Sequence, residues 1–469
     1  MWSRSIFLFP AVVLATLRIE DPSNVISPKL WAADNAIVPD YSIPVVLTQP
    51  SPIKAIHKVN GESSSAEHLT WSATANDTSV LLVSNNATFS GSHLKIVKSG
   101  YSSNLYDASF WGFNAAVNVA NASTAKFDHV NVTVHNGAAQ FYSYGEDTIV
   151  EVNNAWLYSS GPVSHGLYAS GYGTIIGRNI QVYSGGKRSS SFSGDSPVGH
   201  VYVYDSIAHA AGIGSATFYA LGDIYGENVL GLSEMGPVVF SDGGNTINLI
   251  NCDCTAGLLG GVAMFSDAQR QSGATLNLTN TKFTTTGAEM PGLWFGNVVA
   301  DVTLSNSQLV THSGILVVAN YSAITQSFDY YAGYSDNSNL LPAEVTISVT
   351  ESDLMGDLVA YNGSYISWSL GGYSRWKGAA YSGYGEAIFD VSLDATSHWT
   401  LTRDTYIRNF TDSLVSLDNV QSQGHTLYYN ATVSTWLKGK TVRLSGGGSA
   451  KPLSSSSSDD KSSGRRWNA

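Results

Sequence analysis

Asp128 and Glu151 are the side chains in this sequence best spaced to cut a glycosidic bond. Each stands three residues before an asparagine, Asn131 and Asn154. If those asparagines hold the same place in successive turns of the chain, the two carboxylates lie side by side, about 5 Å apart at the backbone. Retaining glycoside hydrolysis uses such a separation, one carboxyl group passing a proton while the other attacks. No column of arginine or lysine stands nearby to grip a sugar, so the pair is incomplete and the chain leans to a non-enzymatic reading.

A second chemistry is carried by aromatic rings. Tyr330, Tyr331 and Tyr334 stand in one polar stretch, and Tyr373, Trp376, Tyr381 and Tyr384 in a Gly-rich run. Exposed rings of this kind stack on the apolar faces of sugars while their polar ends stay hydrated. The same residues would also serve as apolar cover for the last turns of a repeat protein, and that use is preferred.

Other chemistries lack their parts. His165, His200, His209, His312 and His398 do not group, and no Ser or Cys is spaced with His and Asp as a nucleophile. Gly171-Tyr-Gly is a turn and not a phosphate loop, since no helix is expected after it. Cys252 and Cys254 flank one residue in an extended segment, roughly 7 Å apart at Cβ and beyond disulfide reach, and read as small core residues. Two thiols without partner histidines make no metal site. No cofactor or metal is expected.

The elements that would position these residues are legible in a repeat. With Asn251 as anchor, the same register falls on Asn131, Asn154, Asn179, Asp205, Asn228, Asn280, Asn306 and Glu351, mostly about 23 to 29 residues apart, a solenoid period. Four residues before the anchors stand Phe127, Val150, Ile175, Val201, Ile224, Ile247, Leu276, Val302 and Ile347, all apolar. Two before stand His129, Val152, Gly177, Val203, Gly226, Leu249, Leu278, Leu304 and Val349, with polar residues mostly between. That is period two, one face buried. Strands this short cannot bury a face alone, so each turn must stack on the next, and the fold class is all-β, a right-handed parallel β-helix of roughly a dozen coils with irregular caps. Asn131, Asn154, Asn179, Asn228, Asn251, Asn280 and Asn306 are expected to form an amide ladder at one corner, each satisfying backbone groups at a bend and the amide above and below.

Composition supports one long, polar domain. The chain has 469 residues, of which only 13% are charged, with a net charge of -12. No basic cluster precedes the last few residues, which argues against nucleic acid as partner. Residues 1–17 carry a basic residue and then an apolar run too short to span a bilayer, the pattern of a signal peptide, and no later segment could cross a membrane. Residues 18–80, rich in proline, are expected to form an N-terminal cap. The β-helix is expected over 81–444, with insertions at 321–341 and 371–386, and the Ser/Gly-rich stretch 445–469 is expected to be disordered. In a secreted protein Asn76, Asn86, Asn121, Asn277, Asn320, Asn362, Asn409 and Asn430 are glycosylation acceptors, whereas Asn131 should be too enclosed.

The run Ala108-SFWGFNAAVNV, the units Gly161-PVSHGLYASGYGTI and Gly236-PVVFSDGGNTINLINC, and Ser397-HWTLTRDTYI resemble a group of secreted adhesin-like parallel β-helix proteins of bacteria and fungi with the pectin-lyase fold. The resemblance covers about residues 80 to 435. It implies a fold and a surface location, with extracellular glycans or cell-surface components as partners, and carries no catalytic motif. Of the polygalacturonase pattern only Asn251-Cys252-Asp253 and Arg375-Trp376-Lys377 are present, without the elements between them. Polysaccharide degradation and a purely structural role in a wall or matrix are the alternative functions.

Overall fold

The structure, a computed structural model, describes residues 52–135, 137–266, 269–320 and 340–453. It is a parallel β-solenoid of about 15 turns, 57% strand and 3% helix. One face is a thirteen-stranded parallel sheet running from Lys54–Asn60 to Ala380–Tyr384. The other two faces come from one long strand per turn, such as Thr124–Val134, Ile149–Ser159, Thr174–Ser184 and His200–Ala210, each bent near its middle.

The bend is made by a single residue with left-handed backbone. That residue is His129, Asn154, Asn179, Asp205, Asn228, Asn251, Asn280, Asn306 or Glu351 in successive turns, with φ between 46 and 56°. A left-handed residue with a side chain is costly, and asparagine tolerates it best because its amide can bond locally. The amides here also bond between turns. Asn179 Nδ2 donates to Asn154 Oδ1 at 2.8 Å, Asn228 to Asp205 at 2.8 Å, Asn251 to Asn228 at 3.2 Å and Asn306 to Asn280 at 2.7 Å.

One rung differs from the expected register. The partner of Asn154 is His129 and not Asn131, since Ala155 lies against Val130 and Trp156 against Asn131. Asn131 therefore stands two residues past the bend, exposed on the outer surface. Sequence reasoning also missed a second amide series at another corner, where Asn85 Nδ2 donates to Asn60 Oδ1 at 2.6 Å and Asn121 Nδ2 to Asn85 Oδ1 at 3.2 Å.

Replacing Asn228 by alanine is expected to cost about 1–2 kcal/mol, because it leaves a non-glycine residue at φ 56° and removes amide bonds to both neighbouring turns. Asn228→Gly should cost less, since glycine accepts the backbone conformation. Urea unfolding of both variants checks the order.

The apolar columns point inward. Val150, Ile175, Val201, Ile224, Ile247, Leu276, Val302 and Ile347 are aligned rung on rung and buried. Gly177 interrupts the adjoining column for a packing reason: a Cβ there would sit 2.4 Å from Leu167 Cδ1 of the facing sheet. Toward the C-terminal end the core becomes aromatic, Trp376 stacking on Trp399 with ring centroids 4.7 Å apart and leaning on Trp368.

Three expected boundaries are corrected. Coiling starts by Lys54 and not near Leu81, because Lys54–Asn60 pairs in parallel with Thr78–Ser84 and Ser63–Glu67 with Thr88–Ser92. Residues 371–386 are not an insertion: Arg375–Lys377 and Ala380–Tyr384 are rungs paired with Asp353–Met355 and Asp357–Tyr361. The stretch after Ser445 is structured through Leu453, since Ser449–Pro452 pairs with Thr426–Tyr429. The short strand Val442–Arg443 pairs antiparallel with Ser449–Pro452 and closes that sheet, shielding its edge. Residues 1–51, including the expected signal peptide, lie outside the described residues, as do 454–469 and most of the 321–341 insertion.

A short helix, α1 (Leu105–Trp111), packs on the outer side of the thirteen-stranded sheet. Asn104 caps it by accepting from the backbone N–H of Tyr106 at 2.9 Å and Asp107 at 3.2 Å, and left-handed Gly112 ends it. Beneath it lies a sealed polar network. Tyr142 Oη donates to the Ser109 carbonyl at 2.7 Å, Ser109 Oγ reaches Tyr168 Oη at 2.7 Å, and both Ser109 and Tyr168 donate to the carboxyl group of Asp195. The Ser196 backbone N–H donates to the other oxygen of Asp195 at 2.7 Å. Asp195 is 1% exposed, and burial pushes its carboxyl group up to about 6 despite these hydrogen bonds.

Candidate functional site

Asp128 and Glu151 do not form a pair. The corrected register sets Glu151 against Lys126, whose Nζ lies 3.2 Å from Glu151 Oε1, and sets Asp128 against Asn153. Asp128 accepts from Asn154 Nδ2 at 2.7 Å and lies 2.8 Å from His129 Nδ1, and these two bonds hold its carboxyl group below the usual range. The sequence admits both registers because Phe127 fits an inward position two residues off as well as it fits the true one, opposite Val152. Two-carboxylate hydrolysis needs a protonated acid beside an ionised partner; Asp128, held low, fits only the ionised role, and Glu151 is engaged by Lys126 instead.

The expected aromatic platform is also taken apart. Tyr330, Tyr331 and Tyr334 lie outside the described residues. Trp376 is 1% exposed, with its indole Nε1 donating to the Gly356 carbonyl at 2.8 Å, so it covers the core of the last turns instead of facing solvent. Strand alternation explains this: Arg375 and Lys377 point out, so Trp376 points in. Tyr381 is half-buried with the Arg403 guanidinium 4.3 Å above its ring. Tyr384 ends its strand opposite Tyr361. Tyr373, by contrast, stands free, 75% exposed.

Tyr373 marks the candidate site. It has φ 66°, next to Gly372, which occupies the bend above Glu351. Its backbone N–H donates to Thr396 Oγ1 at 2.9 Å. Beside it a groove of about 520 Å³ is lined by Asn306, Gln308, Glu351, Asp353 and Arg375 together with Ser307 and Ser352. Arg375 Nη1 lies 3.5 Å from Asp353 Oδ2, and both side chains remain largely exposed. The bend and the outward positions of rungs Gln308–Thr311, Asp353–Met355 and Arg375–Lys377 hold these planar amide, carboxylate and guanidinium groups in one place. Such groups make paired hydrogen bonds, and a free ring beside them offers an apolar face.

Across the same corner a second shallow groove, also about 520 Å³, is lined by Ser348, Thr350, Ser369, Ser392, Asp394, Thr411 and Asp412 among others. Its two acids serve turns. Burial alone would raise Asp394, but hydrogen bonds from Ser397, Gly372 and Thr396 outweigh it and hold the carboxyl group at about 2. Burial raises Asp412, whose Oδ1 accepts from the Leu414 backbone N–H at 2.8 Å.

Other singled-out residues are dispersed. His165 is buried against Tyr168, ring centroids 4.3 Å apart, and burial drives it down to about 3, so it is neutral. His209 Nε2 lies 2.6 Å from Glu234 Oε1, and His200 Nδ1 lies 3.6 Å from Asp223. Cys252 and Cys254 are free and buried, and burial pushes the Cys252 thiol to about 12 and raises Cys254 as well, which leaves both inert. Asn76, Asn86, Asn121 and Asn362 are exposed, Asn320, Asn409 and Asn430 half-buried, and Asn277 donates its amide to Asn248 Oδ1 at 2.8 Å. Asn131, expected to be enclosed, is exposed. Among the described residues no helix is long and apolar enough to cross a membrane.

No family model matches this sequence, and neither a curated protein nor a solved structure is similar to it.

Proposed function

We propose that this chain is a secreted or cell-surface protein of adhesin-like character that holds extracellular glycans without cleaving them. The observation that carries the reading is the corner at Tyr373: a free aromatic ring beside a groove of amide, carboxylate and guanidinium groups. Sugars offer that combination its complement, an apolar ring face and vicinal hydroxyls. A largely uncharged chain, 13% Asp, Glu, Lys and Arg, favours a neutral, hydroxyl-rich partner over a polyanion. Against catalysis stand the separation of Asp128 from Glu151 and the engagement of Asp394 in turn hydrogen bonds.

A glycan array probed with the purified chain and with Tyr373→Ala tests the reading. Loss of one stacking contact of about 1 kcal/mol should weaken binding roughly five- to tenfold while unfolding is unchanged. Equal binding by both proteins would reject this corner as the glycan site, and hydrolysis or elimination products from a polysaccharide panel would reject the non-catalytic reading.

A further inference from the structure

At the N-terminal end of the solenoid the bend column changes character. Where later turns place asparagine, the first three described turns place His68, His93 and His129, with φ 54, 50 and 52°. The rings lie one above another, centroids 4.6 Å apart between His68 and His93 and 5.1 Å between His93 and His129, tilted by 24° and 9°. A carboxylate stands at each end. Glu67 Oε1 is 3.4 Å from His68 Nε2, and Asp128 Oδ2 is 2.8 Å from His129 Nδ1. Ligand atoms of Glu67, His68 and His93 all lie within 4.8 Å of one another.

An asparagine column holds itself together, because each amide donates to the next and accepts from the one before. Stacked imidazoles cannot do this, since their ring nitrogens lie in the ring planes and point past their neighbours. The stack therefore keeps the strained left-handed backbone and turns several nitrogens outward beside carboxylates. Imidazole with carboxylate is a donor set suited to a borderline divalent transition metal, and unsuited to calcium or magnesium, which prefer oxygen alone.

We propose that Glu67, His68 and His93 bind one divalent transition metal ion of the Zn²⁺, Ni²⁺ or Cu²⁺ class, clamping the first two described turns of the solenoid together. Metal–nitrogen bonds of about 2.0–2.1 Å place the ion in the plane of each ring, so binding turns the exposed His68 ring out of its stack on His93 while His93 stays on His129. Water fills the remaining positions. Asp128 fixes the orientation of His129, which packs on the His93 ring and is a positioning residue. The inference is independent of the glycan reading, whose corner lies far along the column.

The test uses tag-free full-length chain titrated with Zn²⁺ and Ni²⁺ by calorimetry at pH 7.5, and with Cu²⁺ by electron paramagnetic resonance. One site per chain is expected, with nitrogen hyperfine structure from two imidazoles on Cu²⁺. His93→Asn installs the residue the same column uses elsewhere, so the fold should persist and binding should be lost. Metal should also raise the melting temperature of the parent chain and not that of the variant. The proposal is overturned if the parent chain takes up no metal, or if His68→Asn and His93→Asn both bind as the parent does.

Discussion

Trp376→Ala should destabilise the chain by about 3–5 kcal/mol, the range for removing a fully buried large aromatic side chain. Three effects act together. The ring is sandwiched in the Trp368, Trp376 and Trp399 series, so its removal opens a void between two other large rings. The Gly356 carbonyl loses the indole N–H that it accepts at 2.8 Å. Trp399, whose own indole donates to Gly378 at 3.0 Å, loses its stacking face. Urea unfolding followed by far-ultraviolet circular dichroism measures the change, with Tyr373→Ala as the paired control. That ring is three residues away and 75% exposed, so it should move stability by under about 0.5 kcal/mol. Equal effects of the two substitutions would contradict the inward position of Trp376.

The second large effect is a pH dependence set by Asp195. Its carboxyl group is raised from 3.8 to about 6 by burial, so the folded chain holds this proton more tightly than the unfolded chain does. The sign follows. The associated stability is fully present below about pH 4 and is lost as pH rises through 6, the difference amounting to about 3 kcal/mol. Asp195→Asn keeps one oxygen for the Ser196 N–H, sets its amide NH2 against the Tyr168 and Ser109 hydroxyls, which can turn to accept from it, and carries no charge at any pH. The difference in unfolding free energy between parent and variant should therefore move in the variant's favour between pH 4 and pH 7, while contributions from all other acids cancel. Parallel pH profiles would show that Asp195 does not govern the network beneath helix α1.

Most of the fold is written in the period-two columns. Val150 to Ile347 could be aligned because each strand in the middle of the solenoid has a neighbour on both sides and must therefore hide its inward residues completely. The end turns lack that pressure. In Lys54–Asn60 only Val59 is buried and in Ser63–Glu67 nothing is, so the hydrophobic signal is faint in the first described turns. Ser449–Pro452 likewise buries only Ala450. The run around Trp376 looked like an insertion because glycine and tyrosine crowd its rungs, although Trp376 and Ala380 occupy ordinary inward positions.

The site was less legible than the fold. Side-chain chemistry depends on which residues share a column, and a slip of two residues at Asn131 preserved the apolar pattern while creating a carboxylate pair that does not exist. The same slip conceals the histidine series, because it sets His129 in an inward column and not at the bend. A constraint invisible to hydrophobicity, the left-handed backbone, would have set the register correctly. Asn154, Asn179 and Asn228 share it with His129, and histidine is one of the few other side chains that tolerate it.

The column of left-handed bends from His129 to Asn306 also makes the molecule a ruler. His129 and Asn306 stand on one edge, separated by seven strand spacings, or ~34 Å. Because each turn touches only its neighbours, excising the segment from Asp205 through Glu227 would splice one bend onto the next and shorten that edge by a single graduation, ~4.8 Å, leaving both ends intact. Reach along this edge is thus inherited in whole steps, and selection can lengthen or shorten the molecule without redesigning either extremity.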